Sequence, residues 1–319
     1  VKGLVADSCD PYVDRDVECK TTCPYLKTLL GWRLINGPTI PDPNVLKAYI
    51  QAYGPIETAI YAGDNDAWAN EFQNYDGSYT LYYAGQQSTN HKVLIIGWDD
   101  NLSHAGGRGA WIVKNSWGTD WGGACGYGSQ RGYFTIAYGS ASIGMFSSFM
   151  SELQDYDPNG ELLYYDEAGA YYTALGTGST TTAWGLCKFV PAKSGQVTRV
   201  EFWTADVTTD VDVYVYDDFD GSRLSNLRFS RENLAYNEAG YYSVRVNPPV
   251  PVTNGNDIIA VVKFTNASYQ YPVPMDGWAR AERGRTYWSP SGTDGSWADV
   301  GARFDGDVGI RLRIAGRAP

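Results

Sequence analysis

Asn90-His91-Lys92-Val93-Leu94-Ile95-Ile96-Gly97-Trp98 opens an apolar run on a histidine. Trp111-Ile112-Val113-Lys114-Asn115-Ser116-Trp117-Gly118 closes a second apolar run on an asparagine set among tryptophans. Both runs have strand length and lie between Gly, Asp and Asn turns, so both read as β-strands. If the two strands are neighbours in one sheet, His91 and Asn115 meet.

That meeting has a chemical meaning. A thiol nucleophile works best as a thiolate paired with an imidazolium. The histidine must be held at one ring nitrogen so that the other faces sulfur, and an Asn amide oxygen does this without adding a charge. Indole rings beside the bond keep water away and strengthen it. Asn115, Trp117 and Trp121 suit these roles. The second histidine, His104, sits in Asn101-Leu-Ser-His-Ala-Gly-Gly107 and reads as an exposed loop residue.

Working outward, 319 residues predict two domains, each with its own core. Charged residues at 19%, aromatics at 14%, 36 glycines and 25 tyrosines give a β-rich, turn-rich profile. The net charge of −11 gives no electrostatic pull towards nucleic acid or anionic lipid. No apolar run approaches the ~20 residues that span a bilayer as a helix. A start at Val1, with no signal peptide, reads as a processed or truncated product.

Cys9, Cys19 and Cys23 form a close trio among five cysteines. The clustering favours disulfides and an oxidising compartment, because Cys-x9-Cys-x3-Cys without a nearby histidine is a poor zinc set. Two of the three are expected to pair.

One helix is clear. Asp42 caps it, Pro43 suits its first turn, Val45, Leu46, Tyr49, Ile50 and Tyr53 form an apolar stripe, and Gly54 stops it. Strands follow at Pro55–Ala62, His91–Trp98, Ala110–Asn115 and Tyr133–Tyr138. Beyond about residue 150 the chain becomes short strands and turns: Val197–Thr204, Val211–Tyr216, Tyr241–Val246, Ile258–Phe264 and Val308–Ile314. Their spacing predicts a sandwich or jelly roll, with domains at 1–150 and 151–319. Asp217-Asp-Phe-Asp220-Gly reads as a hairpin turn.

The segments Gly54-Pro-Ile-Glu-Thr-Ala-Ile60, Tyr75-Asp-Gly-Ser-Tyr79, Asn90-His91 through Gly97, Val113-Lys-Asn115-Ser-Trp117-Gly-Thr-Asp-Trp121-Gly and Gly132-Tyr-Phe-Thr-Ile136 resemble, in order and spacing, the C-terminal half of a papain-like cysteine peptidase. The resemblance covers residues 45–140. It implies His91 as general base and imidazolium partner, Asn115 as its orienting residue, and Trp117, supported by Trp121, as a shield over their bond. It also implies substrate contacts at Asn90 and at Ala59, the latter on the wall of the S2 pocket. Gly3-Leu-Val-Ala-Asp-Ser-Cys9-Asp-Pro-Tyr12 resembles the crossing between that family's two subdomains. Peptides or proteins are the implied substrates and no cofactor is implied.

One part of the family pattern does not match. The family's nucleophile lies far upstream of its histidine in a Gln…Gly-Ser-Cys-Trp context, and its Gln and a backbone N–H form the oxyanion hole. Only 90 residues precede His91, and they match the region after that subdomain. Cys125, in a Gly-rich insertion, and Cys187, in the second domain, read as disulfide partners or buried thiols. The expectation is therefore a β-barrel subdomain without its helical partner, inactive as an isolated chain. Its exposed face would be covered by the missing subdomain or by self-association.

Leu162-Leu-Tyr-Tyr-Asp-Glu-Ala-Gly169, Gly176-Thr-Gly-Ser-Thr-Thr-Thr-Ala-Trp184, Val200-Glu-Phe-Trp-Thr204 and Val213-Tyr-Val-Tyr216 resemble the lectin-like β-sandwich that follows papain-like domains in some bacterial and archaeal surface proteins. This implies a secreted or cell-surface protein of bacterial or archaeal type, with cell-surface carbohydrate as a possible partner. Trp278, Trp288 and Trp297 are candidates for stacking on sugar rings or for filling the sandwich core. Asp155, Asp157, Asn159 and Asp166 imitate a calcium loop, against the alternative of an acidic turn. The competing class is a non-catalytic surface adhesin or carbohydrate-binding module on a peptidase scaffold.

Overall fold

The computed structural model describes residues 3–11, 13, 15, 17–18, 20–85, 87–169 and 173–316. A two-residue strand, β1 (Leu4–Val5), and a ten-residue strand, β2 (Tyr25–Leu34), come first. Helix α1 (Pro43–Tyr53), β3 (Ile56–Ile60), α2 (Ala67–Gln73), β4 (His91–His104), β5 (Gly107–Lys114), β6 (Tyr133–Ala137) and β7 (Met145–Asp155) follow. The fold is mainly β. Its compact units are Leu34–Ser151 on the one hand and Val1–Arg33 with Glu152–Pro319 on the other. Residues 1–33 thus cluster with the later unit, whereas a cut at 150/151 assigns them to the first.

In the Leu34–Ser151 unit the strands run β6–β5–β4–β3–β7, antiparallel throughout. The apolar residues of these strands build a core of Ile56, Ile60, Val93, Ile95, Trp111, Val113, Phe134 and Ile136, with Leu46 from α1 and Trp68 and Phe72 from α2. Helix α1 starts and stops as its sequence dictates. Asp42 accepts from the Asn44 N–H at 2.8 Å, and Gly54, at φ +94°, donates to the Ile50 carbonyl. Its apolar stripe is narrower than the pattern predicts. Leu46 is buried and Tyr49 and Ile50 partly so, while Val45 and Tyr53 at the flanks are exposed.

The second unit adds β8 (Glu161–Leu163), β9 (Thr173–Leu175), β10 (Thr182–Phe189), β11 (Gly195–Thr204), β12 (Thr208–Phe219), β13 (Leu224–Tyr236), β14 (Ala239–Val252) and β15 (Ile258–Asn266). It ends with β16 (Val273–Asp276), β17 (Thr286–Ser289), β18 (Ala298–Asp299), α3 (Val300–Arg303), β19 (Asp307–Val308) and β20 (Ile310–Gly316). One sheet carries β2–β14–β11–β20–β8, with β1 on β2. A second runs β13–β12–β15–β10–β17–β18, and β19–β16–β9 form a third. The first two face each other across Val200, Phe202, Val244, Leu312 and Ile314 on one side and Val213, Val215, Ala260, Val262 and Phe264 on the other. That is the predicted sandwich.

Cys9 and Cys23 are disulfide-bonded across a separation of 14 residues. Cys19 lies outside the described residues. The β12–β13 turn begins later than the sequence suggests: Asp217, Asp218 and Phe219 still belong to β12, and Asp220 opens the turn, its Oδ1 accepting from the N–H groups of Ser222 and Arg223.

The calcium reading fails on geometry. Asp155 pairs with Lys27 at 2.5 Å, and Asp157 accepts from the Asn159 N–H. Asp166 is fully buried, held by Arg311 at 2.8–3.0 Å and by the Trp203 indole N–H at 2.9 Å. Its lone pairs are already used, and no cluster of three metal-ligating residues occurs among the described residues.

Candidate active site

His91 is the first residue of β4 and lies opposite Ile60 of β3. Asn115 follows the last residue of β5. The β4–β5 ladder pairs Leu94 with Lys114, and continuing that register by one to three residues brings Asn115 and Trp117 alongside His91. The Asn115 N–H donates to the Gly132 carbonyl at 3.0 Å, which ties the strand end to the turn before β6.

The side chains complete the arrangement. His91 Nε2 lies 2.8 Å from Asn115 Oδ1, and Asn115 is buried at 7% exposure. The Ser116 N–H reaches the same Asn115 atom at 2.8 Å. A backbone N–H only donates, so that atom must be the amide oxygen. It follows that His91 Nε2 carries its proton and donates it. In the neutral ring Nδ1 then holds the lone pair, and it makes no hydrogen bond among the described residues.

The indole shield is also in place. The Trp117 ring sits 5.2 Å from the imidazole, centroid to centroid, and Trp121 packs edge-on against Trp117 at 5.1 Å. Trp121 donates from Nε1 to the Phe72 and Gln73 carbonyls at the end of α2. Phe72 touches both indoles, at 5.1 and 5.3 Å. Helix α2 and Phe72 escape a sequence reading because seven residues, about two turns, are too few to establish a helical pattern. The available signal is Asp66, whose Oδ1 caps the Ala69 N–H at 2.7 Å and whose Oδ2 accepts from the Tyr61 hydroxyl. That last bond is the main reason Tyr61 is pushed up to about 12.

The other expected positions have different surroundings. Asn90 is exposed, but its amide accepts from the Ala62 N–H and donates to the Gly63 carbonyl, both at 2.8 Å, and so braces the loop after β3. Ala59 is buried at 3% and lies opposite Lys92 and Met145. His104 stacks on Tyr82 at 5.3 Å and accepts from the Gly106 N–H.

No thiol lies within hydrogen-bond reach of His91 among the described residues. Cys125 packs near Tyr75, 3.8 Å from its hydroxyl, and burial pushes the thiol up. Cys187 is fully buried, and desolvation raises it well above the ordinary thiol range. Both environments oppose the thiolate that a nucleophile needs. The site is thus a held imidazole with one free basic nitrogen beneath an indole wall.

The sequence model of the papain family cysteine protease matches residues 1–152, and that of the lectin like domain matches residues 162–311. The chain therefore carries an N-terminal papain-family protease domain followed by a C-terminal lectin-like domain. Among relatives, cathepsin J of Mus musculus is 30% identical over 141 residues, which is 43% of this chain and 36% of that protein. Cysteine proteinase 1 of Dictyostelium discoideum is 31% identical over 151 residues, 47% of this chain and 39% of that protein. The chain thus spans well under half the length of these relatives.

Among solved structures, the cysteine protease and lectin-like domains of Cwp84, a surface layer associated protein of Clostridium difficile, superpose with a TM-score of 0.74 at 18% identity. The match covers 99% of this chain and 71% of that one. Cwp84 after propeptide cleavage gives 0.75, also at 18% identity, over 99% and 79%. The two-domain fold is shared with that protein.

Proposed function

We propose that this chain supplies the histidine half of a papain-type cysteine peptidase site, and that the thiol comes from a segment outside residues 1–319. The observation that carries this reading is the 2.8 Å bond from His91 Nε2 to a buried Asn115, under Trp117, with Nδ1 left basic. Nδ1 takes the thiol proton, and the thiolate adds to the peptide carbonyl. The imidazolium then protonates the leaving amine, which leaves a thioester, and water, deprotonated by the same nitrogen, hydrolyses it. On this reading residues 1–319 alone are inactive, because no thiol accompanies His91 among the described residues.

The Cys9–Cys23 disulfide and the likeness to a surface layer associated protein support a secreted or cell-surface bacterial setting. The lectin-like domain supports a carbohydrate partner.

The test is a fluorogenic peptide assay. The purified chain shows no thiol-dependent turnover. Supplied with a papain-type nucleophile segment it gains turnover, and His91→Ala removes it by a factor of about 10²–10⁴. Turnover by the chain alone that disappears on Cys125→Ser would overturn the proposal.

A further inference from the structure

In the sandwich sheet, Arg245 of β14 lies directly opposite Arg199 of β11, and Arg199 lies directly opposite Arg313 of β20. Three arginines therefore stand in one cross-strand row. Like charges placed opposite one another work against a sheet, because the side chains share one face at roughly 5 Å between Cβ atoms. The fold neutralises only two of them. Arg313 grips the buried Glu201 at 2.6 and 3.0 Å, and Arg199 reaches Glu152 at 3.2 Å and the Ser243 hydroxyl at 3.1 Å. Arg245 is exposed and has no ion pair among the described residues.

The row sits where the ladder is interrupted. Thr198 of β11 and residues 246–249 of β14 fall outside the pairing register. Such bulges bend strands and re-aim side chains beside binding sites. Here the break opens a cavity of about 620 Å³ lined by all three arginines, Lys193, Tyr156 and Glu161. That volume is within the ordinary range for ligand pockets. Lys193 is a second exposed cation without an ion pair among the described residues. Glu161 keeps one carboxylate oxygen, Oε1, on the Ala192 N–H, while Oε2 is buried with no partner.

We propose that this cavity binds an acidic glycan, with Arg245 and Lys193 taking its carboxylate or phosphate groups. Guanidinium forks recognise both groups with paired N–H donors. Glu161 lines the cavity and as a carboxylate only accepts, so a hydroxyl is the ligand group that suits its side of the site. A ligand that carries both acid groups and hydroxyls satisfies both demands, and a bare phosphate does not. The chain's net charge of −11 disfavours a nucleic-acid duplex at the same place. The inference rests on the glycan-binding reading of the lectin-like domain and adds a site and a charge class to it.

Isothermal titration of the full chain with three probes tests it: hyaluronan oligosaccharides for carboxylate, poly(glycerol phosphate) for phosphate, and dextran as the neutral control. At least one acidic probe binds more tightly than dextran and weakens as salt rises. Arg245→Glu and Lys193→Glu each reduce its affinity about tenfold or more. Arg231→Glu, an equal charge change on β13 of the other sheet, leaves it within about twofold, and so does Trp278→Ala. Unchanged thermal melts confirm that the variants fold, and Arg245→Gln serves if Arg245→Glu does not. An Arg245→Glu effect no larger than that of Arg231→Glu overturns the site. So does dextran binding that Trp278→Ala abolishes, which leaves the glycan reading standing on a different surface. Failure of all three probes ends both readings.

Discussion

At the scale of single residues, the decisive atom is His91 Nδ1. The Ser116 N–H fixes Asn115 Oδ1 as the acceptor, and that in turn fixes the tautomer. Long-range ¹H–¹⁵N correlation spectra at about pH 9, where an ordinary imidazole is neutral, should show Nε2 protonated and Nδ1 bare. A proton on Nδ1 would leave no base facing a thiol. Asn115→Ala should randomise the tautomer and destabilise the fold by about 1–2 kcal/mol, read from urea midpoints, because Asn115 is buried and accepts two bonds. These positions were legible in sequence because each opens or closes an apolar strand, and the resemblance to the papain-like pattern supplied the pairing that strand pattern left conditional. Asp166 was not. It looked like a cation ligand beside Asp155 and Asp157, and its real partner, Arg311, is 145 residues away. No local spacing announces such a pair.

At the scale of elements, the indole wall depends on how the turn after Trp121 meets β6. Gly122 has φ +67°, and a Cβ there would lie 2.4 Å from the Tyr133 carbonyl oxygen. Gly126 has φ +80° with nothing within 4 Å. Gly126→Ala should therefore cost about 1 kcal/mol for its left-handed backbone alone. Gly122→Ala should cost clearly more and alter Trp fluorescence; equal melting temperatures for the two variants would refute the role given to this turn. Strands β16 and β19 carry a second testable feature. Asp276 and Asp307 are register partners and both are buried. Burial, with the Glu282 and Asp276 charges nearby, pushes Asp307 up to about 6, against the hydrogen bonds it accepts from the Glu282 N–H and the Thr286 hydroxyl. The folded state therefore holds a proton on Asp307 that the unfolded state has released between about pH 4 and 6. Its contribution to stability is full below about pH 4 and is lost as pH rises through about 6. Urea unfolding should show a gain of about 1 kcal/mol from pH 7 down to pH 5. The carboxylates held low by donors, Asp66, Asp76 and Asp220 among them, oppose this only at lower pH. Asp307→Asn should flatten the slope, and an unchanged slope would assign the proton elsewhere.

At the scale of the whole molecule, the chain presents a histidine site that has no thiol within hydrogen-bond reach among the described residues. Matching only 36–39% of the length of its cathepsin and proteinase relatives, it is read most economically as one contributor to a composite site. This has a kinetic consequence. A nucleophile segment joined covalently to residues 1–319 acts at a fixed effective concentration, so its rate per molecule does not change on dilution. The same segment supplied as a separate polypeptide must first bind, so activity should rise with its concentration, reach half its maximum at the dissociation constant and saturate well above it. Light scattering should report a one-to-one complex over the same range, and a specific interface of about 800 Å² on each partner is enough to hold it. The isolated chain should self-associate or take up that partner, and His91→Ala should leave complex formation intact while removing turnover. If the chain remains monomeric, binds no such segment and still recognises acidic glycans, it is a surface-binding module on a peptidase scaffold, and the His91–Asn115 bond is a structural feature of its sheet.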